Sequence, residues 1–232
     1  DVRQYKASEC LRHAVELDAR LRAESSDSTA VTDELAHSLR LLLPGAAHLP
    51  WDKFEHVCTT YEQLRYATGV VALGLASAHA VDPSDAAVSF RADGCPADEP
   101  MSHRHAMYAL RRRIYALVLR ALRDDAEAMR QALASDDALF HEELYTYMIA
   151  HGKTSELLST PTPFLEDFLQ GTPVLLDGQS LETYERRLRD LLWQWYIRQG
   201  EYLAAAQTLD ALAHTDTYAL HLYERIEYLA LA

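Results

Sequence analysis

Gly152, Lys153 and Thr154, in the stretch HGKTS, have the residue types of a phosphate-binding loop. Such a loop also needs a glycine five positions earlier, so that successive backbone N–H groups close around phosphate oxygens, and a strand leading into it. Here that position is Tyr147 and the preceding residues read as helix, so Gly152 is expected to be a helix C-cap. FHEELY at 140–145 carries the His-Glu pair of a zinc-protease helix, but the residue four after His141, which would supply the second imidazole, is Tyr145. Polar residues on a solvated helix face are the plainer reading. Of eleven histidines, His103 and His105 do not share a face, while Cys10 with His13, and Asp210 with His214, each supply only two ligands. The clusters RRR at 111–113 and RRLR at 186–189 lack the interleaved aromatics of nucleic-acid modules. They are expected to be solvated helix faces, with an acidic partner segment as the alternative. No Ser/His/Asp or Cys/His nucleophile arrangement is present, so no enzyme, cofactor or metal site is expected.

The elements that carry these residues are helical. The chain has 232 residues, 49% hydrophobic and 25% charged, with only 8 glycines and 8 prolines. Few breakers mean long regular elements, and apolar residues recur at helical rather than alternating spacing, which predicts an all-α protein. A formal net charge of −13 opposes nonspecific attraction to nucleic acid or anionic lipid. Three cysteines cannot all pair, and Cys10 and Cys58 sit on apolar helical stripes, which points to a reducing compartment. With no run of transmembrane length and no signal-peptide layout, a soluble intracellular protein is expected. Both termini read as cut from a larger chain, the last residues stopping in a helical pattern without a cap.

Helices are predicted over about 2–24, up to LLLPG, through Phe54, Val57, Cys58, Tyr61 and Leu64, and through GVVALGLASAHAVDP up to Pro83. One long helix is predicted over about 101–134, with Arg113, Arg120 and Glu127 on its solvated face and Arg123 positioned to pair with Glu127. Ser135 is expected to cap the next helix, with Asp136 and Asp137 at the positive end of its dipole. A short helix at TSELL precedes TPTPFLEDFLQG, where Thr162 suits an N-cap and Pro163 the first helical position. Helices near 179–199, 201–214 and 218–231 complete the chain, with loops near 25–33, 92–100 and 171–180. The expected organisation is a single α-solenoid segment over 1–232, an irregular stack of antiparallel helical hairpins.

The stretch LLWQWYIRQGEYLAAAQTLDAL, 191–212, shows how such a stack would be held. Bulky residues fill one helix and small residues the next, so that the second can approach the first closely. Tyr66, Gly69, Val70 and Leu73 repeat the spacing of Tyr202, Ala205, Ala206 and Leu209. The expected hairpin-packing residues are Tyr66, Gly69, Trp193, Trp195, Tyr196, Gly200, Tyr202, Ala205 and Ala206. Phe164, Leu165, Phe168 and Leu169 are expected to plug a gap between hairpins, the alternative being a groove for a partner peptide.

The succession ALFHEELYTYMIAHG, SELL, TPFLEDFL, DLLWQWYIRQGEYLAAAQTLDALA and ERIEYLALA resembles the C-terminal solenoid of the large non-repetitive scaffold nucleoporins. These are the inner-ring subunits of the one-fifty-five and one-seventy type, which join a β-propeller to an α-solenoid. HLPWDKFEHVCTTYEQLRYATGVVALGLASAHAVDP is similar to the same family's preceding hairpins, so the resemblance spans roughly 40–232, most specifically Leu139 to Ala213. It implies a structural role in the nuclear pore complex at the nuclear envelope, without catalysis. The implied partners are linker nucleoporins, including those bearing FG repeats, and neighbouring scaffold subunits, with no direct nucleic acid and no membrane contact from this segment. The competing readings are a helical-repeat adaptor of another assembly, such as a vesicle coat, and a helical enzyme with an assembled metal site.

Overall fold

The computed structural model describes residues 2–24, 29–96, 102–123, 125–160, 162–171 and 181–232. All its regular elements are helical, so the fold class is all-α. No helix among the described residues is long and apolar enough to cross a membrane. The chain divides into two compact units, 1–143 and 144–232.

The first unit contains α1 (Val2–Glu24), α2 (Thr29–Leu42), a 3-10 segment (Leu43–His48), α3 (Trp51–Gln63), α4 (Ala67–Val81), α5 (Ala86–Ala92), α6 (His103–Ala121) and α7 (Ala126–Leu133), and ends within α8 (Ala138–Ala150). Helices α1 and α2 pair with each other, and α6 packs against both α4 and α5. The approach of α4 to α6 depends on Gly74, where an added Cβ would lie 2.3 Å from Val118 Cγ2. Gly69, earlier in α4, has the Tyr66 ring in the same relation at 2.3 Å.

Several boundaries differ from the sequence expectation, and at three helix starts the reason is a short polar side chain that bonds to backbone. The predicted helix over 101–134 is two: α6 stops at Ala121, and the Asp125 carboxylate caps α7 by accepting from the Ala128 N–H at 2.9 Å. Glu127 accordingly pairs with Arg130 rather than Arg123. Helix α5 has no counterpart in the expectation. It is nucleated by Asp82, whose two carboxylate oxygens accept from the Ala86 and Ala87 N–H groups, each at 2.9 Å. The loop expected near 25–33 is already helical from Thr29, and 25–28 lie outside the described residues. Of the loop near 92–100, Ala92 still belongs to α5, Gly94 (φ +78°) and Cys95 (φ +56°) turn the chain, and 97–100 lie outside the described residues. Asp137, not Ser135, caps α8, accepting from the Phe140 N–H at 3.1 Å, while the Ser135 hydroxyl accepts from the Asp137 N–H at 3.1 Å.

Arg111 corrects the expectation of a wholly solvated RRR face. It is 2% exposed and lies under a ring of acceptors. Its guanidinium donates to Asp82 (3.2 Å), Asp85 (3.1 Å), Asp137 (2.8 Å) and the Tyr115 hydroxyl (2.7 Å), and Tyr115 donates in turn to Asp137 at 2.6 Å. Burial works against the charge on Arg111, but Tyr115 and Asp137 more than offset it, leaving the guanidinium pKa above its ordinary value. Burial first, then the Asp137 carboxylate, raises the Tyr115 phenol. Since Asp82 caps α5 and Asp137 caps α8, one arginine on α6 secures two helix starts.

Two substitutions test this account by urea denaturation. Arg111→Met keeps the stem but strands Asp82, whose side chain is fully buried, and should cost about 3–5 kcal/mol; a loss under about 1 kcal/mol would refute the network's importance. Gly74→Ala gains about 1 kcal/mol of helix propensity in an open helix. Against Val118 it should instead destabilise by a net of up to about 2 kcal/mol, since overpacking costs about 1–3 kcal/mol; a net gain in stability would refute the close approach.

Candidate functional site

The second unit continues α8 and contains α9 (Thr154–Ser159), α10 (Leu165–Gln170), α11 (Leu181–Gln199), α12 (Tyr202–His214) and α13 (Leu222–Leu231). Gly152 (φ +73°) ends α8, with the Lys153 N–H donating to the Met148 carbonyl at 2.9 Å, so HGKTS forms a helix C-cap. The short helix starts at Leu165 rather than Pro163, and Thr162 does not cap it; its hydroxyl accepts instead from Tyr145 at 2.6 Å.

Helix α11 binds its neighbours through aromatics and arginines. Tyr196 donates to Glu166 (2.8 Å) and accepts from Gln170 (2.8 Å), tying α11 to α10. Trp193 packs with Tyr218 and Leu220 against a buried cluster of Leu209, Leu212, Ala213 and Tyr228. Trp195 is half-buried, its ring 5.3 Å from that of Tyr196. The arginines of the RRLR cluster, Arg187 exposed and Arg186 and Arg189 half-buried, are tied to neighbouring helices rather than simply solvated. Arg187 donates to the Ile149 carbonyl (3.0 Å), and Arg189 to those of Leu169 (2.9 Å) and Gln170 (2.7 Å), which places cations at the negative ends of α8 and α10. Arg186 bonds Glu224 on α13 at 2.8 Å.

The structure separates the expected packing residues. Ala205 is 3% exposed and Ala206 half-buried, whereas Tyr202 is 70% exposed at the surface. Gly200 (φ +81°) makes the α11–α12 turn, where the Glu201 N–H donates to the Tyr196 carbonyl at 2.9 Å. In the first unit, Tyr66 lies edge-on to Tyr61 with ring centroids 5.2 Å apart, above Gly69. The internal echo is therefore carried by the small residues and lost in the aromatics. Leu165 and Leu169 have no exposed surface, so they line no partner groove; Phe164 and Phe168 are half-buried, Phe168 lying 5.2 Å from the Tyr145 ring.

A groove does exist beside them. It encloses about 540 Å³ between α10, α11 and α12, floored by Leu192, Tyr196 and Leu212 and walled by Ala204 and Ala211. Gln170, Arg189, Gln207 and Thr208 line it with hydrogen-bonding groups. That mixture suits an extended or helical peptide with apolar anchors. The sequence signal for it was the run of alanines, which was read as internal packing alone.

The chemistry of the other candidates is structural. His141 is fully buried rather than on a polar surface, with Nε2 2.8 Å from the Ser135 carbonyl, and burial lowers its pKa, so it is neutral at pH 7. Burial also pushes the Cys58 thiol up to about 12, removing its thiolate reactivity. His13 lies 3.1 Å from Glu34, and His214 3.3 Å from Asp210. No group of three or more His, Cys, Asp or Glu able to hold a metal occurs among the described residues.

Comparison with known proteins places this helical architecture. The family described as "Non-repetitive/WGA-negative nucleoporin C-terminal" matches residues 1–232. The chain belongs to this nucleoporin family. It is 26% identical over 98% of its length to the Drosophila melanogaster nuclear pore complex protein Nup154, spanning 18% of that protein. It is 24% identical over its whole length to the Saccharomyces cerevisiae nucleoporin NUP170, spanning 16% of it. The chain thus spans less than a fifth of these relatives. Among solved structures, a mutant Nup170 C-terminal domain from Chaetomium thermophilum matches all of the chain, with TM-score 0.78 and 26% identity, over 44% of its own length. A Nup170 C-terminal domain–Nup145N complex from the same organism matches 94% of this chain and 43% of its own, with TM-score 0.74 and 26% identity.

Ala205→Leu should overpack the α11–α12 contact and cost about 1–3 kcal/mol. Tyr202→Ala should stay within about 0.5 kcal/mol. Thermal denaturation of both variants checks the assignment, and equal effects would contradict it.

Proposed function

We propose that this nucleoporin chain is a scaffold element of the nuclear pore complex at the nuclear envelope, without catalytic activity, and that it docks linker segments of other nucleoporins. The observation that carries the reading is the full-length likeness to a Nup170 C-terminal domain, one copy of which is known in complex with Nup145N. The groove between α10, α11 and α12 is the surface offered to such a segment. Its open walls, Ala204 and Ala211, leave room for a peptide backbone, while Arg189 and Gln207 can hydrogen-bond to it. Neighbouring scaffold subunits are the second class of partner.

The full-length protein, fluorescently tagged in its own cells, should label the nuclear rim and capture inner-ring and linker nucleoporins. Coat components among the captured proteins, with no rim signal, would refute the reading. Ala211→Trp fills the groove from an exposed position. It should weaken binding of the captured linker nucleoporin by about tenfold or more, or about 1.4 kcal/mol, with an unchanged melting temperature. Undiminished binding would remove the groove from the account.

A further inference from the structure

We propose that the outward face of α6, with the cleft at its C-terminal end, docks an acidic segment of a partner protein. Ala106, Ala109, Arg113, Ala116, Arg120 and Arg123 recur at three- and four-residue steps and are all exposed, so they form one stripe. Its helical part, from Ala106 to Arg120, is about 21 Å long at the helical rise. The opposite face of α6 is the buried one, carrying Tyr108, Ile114, Tyr115 and Val118. Alanines let a partner backbone come close, and the arginines beside them present planar forks that match carboxylates.

The stripe is bordered by clefts within the first unit. One, of about 570 Å³, is lined by Arg65, Arg120 and Arg123 together with Glu62 and Asp125. The other, of about 450 Å³, is lined by His105, Ala109, Arg112, Arg113, Ala116 and Glu143. Some of this charge is answered internally: Glu62 lies 2.7 Å from Arg120, Glu143 2.5 Å from Arg112, and Asp125 caps α7. Arg65, Arg113 and Arg123 have no ion pair among the described residues. Arg113 lies over the Trp51 ring, 4.1 Å from its centroid, which orients the guanidinium. On this surface of the first unit, three arginines without an ion pair among the described residues form a local exception to the field of a chain whose net charge is −13.

Arg65 adds an independent point. It occupies the left-handed position after α3 at φ +57°, with the Tyr66 N–H donating to the Tyr61 carbonyl at 2.8 Å, a place that ordinarily takes glycine. A glycine would hold that turn with less strain, whereas the arginine places a cation in the cleft. An acidic protein segment fits better than nucleic acid. Screening within about 10 Å lets a local patch act on a short carboxylate-bearing segment. A long polyphosphate would meet the chain's overall negative charge, and the exposed stripe mixes arginine and alanine with no aromatic among its own residues, Tyr108 and Trp51 lying beside it. This docking surface is distinct from the α10–α12 groove and does not rest on the nuclear-pore reading.

The test is fluorescence anisotropy with the 232-residue chain and a labelled Glu/Ala peptide of about 17 residues, long enough to span the stripe as a helix. The comparators are its Gln/Ala counterpart and a thymidine oligonucleotide of similar length. The chain should bind the Glu/Ala peptide in a salt-dependent way and the Gln/Ala peptide at least about tenfold more weakly. Arg113→Ser with Arg123→Ser should cut affinity by about tenfold or more, while Arg130→Ser, an exposed arginine elsewhere, should leave it unchanged. Arg65→Gly should also weaken binding, with a melting temperature equal to or above the parent's, an outcome a structural role would not produce. Equal binding of the Gln/Ala peptide, or the same loss in Arg130→Ser, would overturn the proposal. Preference for the oligonucleotide, or self-association abolished by the double variant, would overturn it in favour of nucleic acid or a second copy.

Discussion

A single buried cation organises the first unit. Arg111 would be costly to bury alone, and it is tolerated because Asp82, Asp137 and Tyr115 meet its donors in fixed geometry. The same carboxylates supply the first hydrogen bonds of α5 and α8. Electrostatic neutralisation and helix capping are therefore one construction. Losing the arginine would leave a buried carboxylate and loosen two helix starts together. The close approach of α4 to α6 at Gly74 and Val118 completes the arrangement by bringing the apolar faces of those helices into contact.

The second unit solves the same problem with different parts. There the positive groups lie on α11 and reach carbonyls at the ends of α8 and α10, where the helix dipole and the unsatisfied carbonyls both favour a cation. Aromatic residues complete the packing: Tyr196 through its hydroxyl, Trp193 through its ring. What such packing leaves open is a groove rather than a catalytic pocket. Apart from the carboxylate-bound Arg111, buried groups such as Cys58, Tyr115 and His141 are held by burial in their neutral forms, which suits a scaffold. The scaffold reading thus rests on the kind of surface the helices leave exposed as well as on family membership.

How much was legible in the residues differs from element to element. The periodicity of Phe54, Val57, Cys58 and Tyr61 placed α3, and the aromatic-then-alanine pattern of 191–212 placed α11 and α12. The break between α6 and α7 is hard to see in the sequence because apolar residues recur on both sides of it, while Asp125 starts a new helix as its cap. Helix α5 escaped notice because seven residues carry too little periodicity, and its nucleus is a carboxylate held in place by an arginine 29 positions away. Tyr202 matched the spacing of Tyr66 yet lies exposed, since spacing places a side chain on a helix face without saying whether a neighbour covers that face.

The sequence by itself determined the all-α class, the helical stacking and the family, because these depend on periodicity and on residue types repeated over tens of positions. Only the tertiary structure decided which arginines are buried, bonded or free. Arg111, Arg113 and Arg189 belong to two similar basic clusters, yet one is enclosed by carboxylates, one lies over Trp51 at the surface and one reaches helix-end carbonyls. A long flexible cation can reach partners far away in sequence, and its role is set by which of them the folded backbone brings within hydrogen-bonding distance.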